Sequence, residues 1–204
     1  MKDWTELASD ESVLKTADSL KKENFEVFVV ENSSKAREKV LEIIPKEAEV
    51  MTMSSKTLEQ IGLTKEINES GNYNSVKSKL LKMNRIKEGR EMQKLGASPE
   101  WAIGSIHAVS VDGHLYVASA TGSQLGAYAF TSPHVIWVIG TQKIVKDENE
   151  AMRRLYEYCL LKESERQKGL GNTAGTSIGK ILIINQEFRP GRVTIVLVKE
   201  NIGV

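Results

Sequence analysis

The chain is poor in the residues that build covalent or metal-held frameworks. Its 204 residues include one cysteine, Cys159, and three histidines, His107, His114 and His134. A single cysteine excludes an internal disulfide and any CxxC metal or cluster motif. The scattered histidines form no HExxH pair, so neither a metal site nor a resident cofactor is expected. An excess of charge of one sign is also missing. The 28 Lys and Arg stand against 27 Asp and Glu, a formal net charge of +1, which argues against an obligate nucleic-acid binder. No apolar run approaches the roughly 20 residues needed to cross a membrane. The opening MKDWTELASDES lacks the apolar centre of a signal peptide. A soluble cytoplasmic protein is the simplest expectation. Internal repeats, low-complexity segments and compositional breaks are absent too, which points to one domain over residues 1–204.

What is present centres on residues 112–147. His114–Ala120 and His134–Gly140 read as strands, and the second contains the unbroken apolar run Val135–Ile139. Such runs belong to strands covered on both faces. The link between them has the length of a crossover. Ser123 would cap a short helix running to Phe130, and a right-handed return would set the two strands parallel in one sheet. Asp112-Gly113 between Ile106–Val111 and His114–Ala120 is a hairpin signal, with positive φ expected at both turn positions.

Before this stretch, a helix is expected over 3–22, then a strand at 25–30. Ser33 or Ser34 caps the next helix, and a strand at 49–53 leads into a short helix starting at Ser54-Ser55-Lys56 and ending at Gly62. Residues 63–73 show no pattern. Residues 74–95 read as a long helix, or two broken at Gly89, with seven Lys and Arg against two Glu. That helix is a solvated face or a docking surface for an acidic partner. Asp147 and Glu150 have capping-box spacing and open a helix over 148–165. Cys159 on that helix reads as a buried, inert thiol. After the glycine-rich loop 169–179, strands 180–188 and 193–199 are expected to form a hairpin about Pro190-Gly191. Alternating strands and helices mean an α/β fold with a mixed, mostly parallel sheet flanked by helices.

Several pieces together resemble the LUD-domain family, typified by lactate-utilisation protein C. They are Ser-Lys-Thr-Leu-Glu-Gln-Ile-Gly-Leu at 55–63, Val-Asp-Gly-His-Leu at 111–115, Pro-His-Val-Ile-Trp-Val at 133–138, and Gln-Lys-Ile-Val at 142–145 followed by a helix. Their order and spacing carry the resemblance, over roughly residues 25–160. It implies a fold similar to the NagB/RpiA/CoA-transferase-like group, which includes ribose-5-phosphate isomerase. It also implies, for some members, work beside iron–sulfur proteins in oxidising L-lactate to pyruvate. Two features depart from the family pattern. The hairpin tip is Asp112-Gly113 where Thr-Gly is usual, and Gly171–Ser177 replaces a C-terminal Gly-Pro-Ser…Thr-Ala-Asp segment.

Candidate site residues lie where strands end and helices begin, the edge at which open α/β sheets bind ligands. Ser54, Ser55 and Lys56 form one such junction. The serines are explained equally by capping, whereas a lysine at a helix N-terminus opposes the dipole unless an anion is bound. Thr121, Gly122 and Ser123 form a second junction, open also to a plain turn. Gly171 and Asn172 begin the third segment. Arg192 could hold a carboxylate or phosphate in bidentate fashion, or join Glu187 and Arg189 at a hairpin tip. His107, His114 and Glu187 are the residues able to act as acid, base or nucleophile, though each has an ordinary structural explanation. Two functional classes follow. One is an accessory subunit for iron–sulfur oxidoreductase proteins, without chemistry of its own. The other is a stand-alone enzyme or binding protein for an anionic metabolite: phosphorylated, nucleotide or CoA-linked. A homo-oligomer is compatible with either.

Overall fold

In the computed structural model, which describes residues 2–204, ten strands and seven helices follow one another with short links. The strands are β1 (Glu26–Val30), β2 (Glu49–Thr52), β3 (Asn74–Ser75), β4 (Trp101–Gly104), β5 (Ala108–Ser110), β6 (Leu115–Ser119), β7 (His134–Gly140), β8 (Ile144–Val145), β9 (Lys180–Ile184) and β10 (Val193–Val198). The helices are α1 (Asp10–Lys22), α2 (Ser33–Ile43), α3 (Lys56–Gln60), α4 (Leu63–Glu69), α5 (Val76–Lys82) and α6 (Arg85–Ala97). The seventh, α7, spans 148–169 and contains a π-helical turn at Leu155–Cys159.

Six strands form a wholly parallel sheet in the order β1-β10-β7-β4-β2-β3. The other four form a mixed sheet, β8-β5-β6-β9. Period-two alternation in the central strands divides the core. From β7, Val135, Trp137 and Ile139 enter one cluster with α1 and the inner face of the small sheet. Ile136 and Val138 enter another with α2, α3 and α4. A third cluster, including Ala108, Tyr116, Ala151 and Leu155, seats α7 on the outer face of the small sheet. The expected α/β class with a mostly parallel sheet is therefore correct, and the parallel and mixed parts are separate layers.

Local capping chemistry sets the helix ends. Ser55 Oγ accepts from Leu58 N at 3.4 Å, as capping requires. Helix α1 starts at Asp10 under the Ser9 cap, not at residue 3. Asp3 instead takes both the amide and the hydroxyl of Thr5, at 2.8 and 2.6 Å, a local bond that competes with helix. Asn32, one residue before the expected serines, caps α2. Residues 63–69, expected to be irregular, form α4. The break within 74–97 falls at Asn84, whose Oδ1 accepts from Ile86 N and Lys87 N, while Gly89 stays helical.

Two topological expectations fail. Segments 115–119 and 134–140 do not share a sheet, so the parallel crossover does not exist. Chain leaving β4 turns into the β5–β6 hairpin, and β6 pairs with β5 and β9. The link back to β7 holds a π-helical turn, Ala127–Thr131, and Ser123 does not cap it. An unbroken apolar run requires cover on both faces, which either sheet supplies. At the β5–β6 tip only Gly113 has positive φ, 95°, so the loop is wider than a two-residue type I′ turn. The second failure is the C-terminal hairpin. The Pro190-Gly191 turn is real, with Arg192 N donating to Arg189 O at 3.1 Å and Gly191 at φ 77°. Yet β9 ends in the small sheet and β10 inserts between β1 and β7 in the large one. All six residues of β10 are buried, as suits the interior of a parallel sheet.

Buried charge secures this last link. Arg192 Nη1 donates to Glu187 Oε2 at 2.5 Å, Nε to Ser132 O at 3.0 Å, and Nη2 to Ala127 O and Tyr128 O at 3.2 and 2.9 Å. The pair thus holds carbonyls of the π turn that follows the small sheet. Removing one member leaves the other buried and uncompensated. Glu187→Ala is expected to lower unfolding free energy by about 3–5 kcal/mol in urea titration. A loss below about 1 kcal/mol, the level of a surface pair, would contradict this role.

Candidate functional site

Chain order in the large sheet runs outward from β2 to β3, then returns to β4 on the other side of β2. Ligands of open α/β sheets bind at such reversals, beyond the carboxyl ends of the strands. Here that place is a cleft of about 510 Å³. Residues 53–57 after β2 and 105–107 after β4 line one part of it, and 118–121 at the end of β6 line another. Helix α7 contributes Cys159, Lys162, Glu163 and Arg166. Close packing shapes the wall. A Cβ on Gly104 would lie 1.8 Å from Tyr128 Oη, so only glycine admits the phenol there.

Lys143, at the end of a 3-10 turn (Thr141–Lys143) directly after β7, also lines the cleft and is 1% exposed. Its Nζ donates to Ser105 Oγ at 3.1 Å and to Thr57 Oγ1 and Ile106 O, each at 3.2 Å. All three partners are neutral oxygens, and no carboxylate pairs with it among the described residues. Burial, with the positive charge of Arg154 adding to it, lowers its pKa from 10.5 to about 7. His107 borders the same space. Its Nδ1 accepts from Ala118 N at 3.1 Å, which puts the imidazole proton on Nε2. Burial, then the charges of Lys143 and Arg154, hold its pKa at about 4, so it is neutral near pH 7. Behind it the fully buried Arg154 donates to His107 O at 2.9 Å and Trp4 O at 2.8 Å, and its Nη2 is unpaired. Cys159 is buried, and burial raises its thiol pKa, which favours the inert thiol expected.

The residues singled out from the sequence are only partly gathered here. Ser54, Ser55, Lys56, Thr121 and His107 line the cleft. Lys56 Nζ lies 3.6 Å from Glu59 Oε2. Helix α3 has five residues and Gly122 does not open a regular helix, so the helix-dipole attraction expected at both junctions loses its basis. Gly122 (φ 86°) donates its amide to Ser119 Oγ at 2.8 Å, and a Cβ there would meet Lys180 Cδ at 2.6 Å. Ser123 N turns back onto Thr121 Oγ1. Gly171 and Asn172 lie outside the lining, with Asn172 Nδ2 bonded to Gly175 O at 2.8 Å, although Thr176 of the same loop reaches it. His114 sits at the β5–β6 tip, 3.8 Å from Asp112. Glu187 and Arg192 are engaged with each other at the π turn. Lys143 was not singled out. Its signal was a lone cation between the apolar runs 135–139 and 144–145.

The arrangement can attract an anion and exchange a proton near neutrality. Lys162 and Arg166 bring positive charge from α7, offset by Glu165, which accepts from Lys162 Nζ at 3.0 Å, and by Glu163, which takes both Arg166 Nε and Nη2 at 2.7 and 2.6 Å. That bond, more than any other influence, lowers the Glu163 pKa.

Both bases make stability depend on pH in the same direction. Lys143 has a folded pKa below its unfolded value, so from about pH 7 to 10.5 the unfolded chain holds the extra proton and stability rises with pH. His107 acts in the same sense from about pH 4 to 6.5, and its share is lost as pH falls through that window. Lys143→Met should therefore be most favoured over wild type at about pH 6, and progressively less towards about pH 10, in urea unfolding. A difference that does not change with pH would mean that Lys143 titrates normally. His107→Asn, which keeps an acceptor for Ala118 N, should flatten the acid limb.

Among the described residues no helix is long and apolar enough to cross a membrane. No curated protein matches the chain. A solved structure described as a DUF162 family protein from Deinococcus radiodurans shares the fold at a TM-score of 0.59 and 8% identity, covering 95% of this chain and 99% of its own. A family model described as the LUD domain matches residues 13–198, nearly the whole α/β framework around the cleft, and the chain belongs to the LUD domain family.

Proposed function

We propose that this LUD-domain protein binds a small anionic metabolite in the cleft above Lys143 and exchanges a proton with it. One observation carries the reading: a fully buried lysine borders an open cleft with no carboxylate bonded to it among the described residues. A buried ammonium without a counter-charge is costly, and a bound carboxylate or phosphate supplies that charge. Proton transfer at neutral pH suits a base whose pKa lies near the working pH. The resemblance to lactate-utilisation proteins makes 2-hydroxy acids, L-lactate among them, the first class to test. Phosphorylated, nucleotide and CoA-linked compounds come next.

Thermal-shift screening of these classes, followed by calorimetry, tests the reading, because a ligand of the native state raises its apparent stability. Lys143→Met should weaken binding by about ten- to a hundredfold, the equivalent of one charge-assisted hydrogen bond of roughly 1.5–3 kcal/mol. Unchanged affinity in the folded variant would place the anion elsewhere.

A second reading, an accessory subunit on an iron–sulfur oxidoreductase, is favoured by one surface. Between Lys77 and Lys94, α5 and α6 carry seven Lys and Arg against two Glu. Leu81 and Ile86 beside them are 79% and 96% exposed. In that reading the clusters sit on an acidic partner. Reversing Lys82, Arg85 and Lys87 to Glu should abolish co-elution with such a partner at low salt and leave metabolite binding intact. Co-elution that survives the reversal would dismiss the surface.

A further inference from the structure

We propose that Lys143 forms an imine with its ligand, and that the ligand is therefore a small aldehyde or ketone carrying a carboxylate or phosphate. This rests on the reading of the cleft as an anionic-metabolite site and adds a covalent step to it.

The hydrogen-bond set of Nζ is the first argument. A lysine held by carboxylates is fixed as an ammonium. Here two of three partners are hydroxyls, Thr57 Oγ1 and Ser105 Oγ, and a hydroxyl can donate as well as accept. The nitrogen is thus held in place whether or not it carries its third proton. The third partner, Ile106 O, can only accept and orients one N–H. Glycine at 203 leaves room for this arrangement, since a Cβ there would lie 2.0 Å from Thr57 Oγ1 and 3.1 Å from Nζ. A nucleophile ordered in this way has little rotamer freedom left to lose on reaction.

Burial and a neighbouring cation are the two means by which proteins make lysine nucleophilic, and both act here. The titratable groups that act on Lys143 are Arg154 and Cys159, and Lys143 in turn acts on His107. None is a carboxylate bonded to the lysine. A substantial fraction of neutral amine at physiological pH follows from the pKa of about 7. Cys159, the other nucleophilic atom type in the lining, is kept as a thiol by burial.

The step balances without an oxidant or reductant. The lone pair of neutral Nζ attacks the carbonyl carbon and a C–N bond forms. The carbonyl oxygen takes up a proton as nitrogen loses one, giving a carbinolamine. The C–O bond then breaks, oxygen leaves as water with a second proton, and C=N is formed. Thr57 and Ser105, within 3.2 and 3.1 Å of the nitrogen, are placed to carry those protons. The anionic group competes with Glu59, Glu165 and Glu163 for the cations of the lining, Lys56, Lys162 and Arg166. A cleft of about 510 Å³ accepts anything from a two-carbon acid to a substituted ring.

Two probes separate the anion classes: glyoxylate joins an aldehyde to a carboxylate, and pyridoxal 5′-phosphate joins one to a phosphate. The full chain is incubated with each and cyanoborohydride at about pH 7.5, where exposed lysines are almost wholly protonated. Intact mass and peptide mapping then locate the reduced adducts. One adduct per chain is expected, on Lys143, formed at least about tenfold faster than at any exposed lysine. The faster probe identifies the anionic group. Glycolate, which has no carbonyl, should compete with glyoxylate and give no adduct. The wild-type peptide map decides the matter, so no variant need fold. Thr57→Val retains the lysine and should slow trapping while the adduct still maps to Lys143. Adducts only on exposed lysines, with glycolate or phosphate still binding in calorimetry, would overturn the imine and leave the anion site standing. No calorimetric binding of either would remove the anion site and the imine with it.

Discussion

The insertion of β10 between β1 and β7 is the pairing on which the large sheet depends. Strand β1 has no other partner, and its register with β10 joins Val27 to Ile195. Residues 26–30 join the sheet only through the last strand. The same insertion carries the chain's last residues, Val204 among them, to the cleft. Lys199 N bonds to Val30 O, Glu200 takes the amide and hydroxyl of Ser33, and Gln142 Nε2 bonds to Ile202 O at 2.7 Å. These bonds bring residues 202–203 over the 3-10 turn that presents Lys143. Folding topology and the buried lysine are thus consequences of one strand's position.

Two buried cations in this molecule meet opposite environments. Arg192 is paired with Glu187 through Nη1 and spends Nε and Nη2 on three carbonyls, so its bonding is internal. Lys143 is equally buried, yet its oxygens are uncharged. Charge burial is costly in both cases, and only the arginine is compensated within the chain. That contrast, more than cleft size, distinguishes a group used to hold the fold from one available to a ligand. It also explains why Arg192, attractive from sequence as an anion clamp, is committed elsewhere: four of its five donors are already bonded within the chain.

The α/β class, the strands at 26–30, 49–52 and 134–140, the Pro190-Gly191 turn, and the place though not the type of the turn at Asp112-Gly113 were legible because each rests on local rules. Apolar runs, caps and positive-φ glycines act within a few residues. Sheet membership was not legible, since Leu115–Ser119 and His134–Gly140 are both buried almost throughout and nothing in either strand names its neighbour. Pro190-Gly191 gave the turn correctly and the hairpin wrongly for the same reason: a turn fixes direction over four residues, not the destination of the strands beyond. The cleft was half legible. Ser54–Lys56 and Thr121 followed from the rule about strand ends. Lys143 did not, because its lowered basicity arises from burial against Thr57 and Ser105, distant in sequence, and from Arg154 on another helix.

The short lateral strands of both sheets have a consequence for self-association. Strands β3 and β8, each at one margin, contain two residues apiece. They offer almost no unpaired backbone for another chain to extend. The remaining margins, β1 and β9, run five residues and begin with charged side chains, Glu26 and Lys180. Charged, short margins are the means by which β-proteins avoid templated strand addition. A chain whose central strands are almost wholly apolar thereby keeps its most aggregation-prone segments, β7 and β10, flanked on both sides.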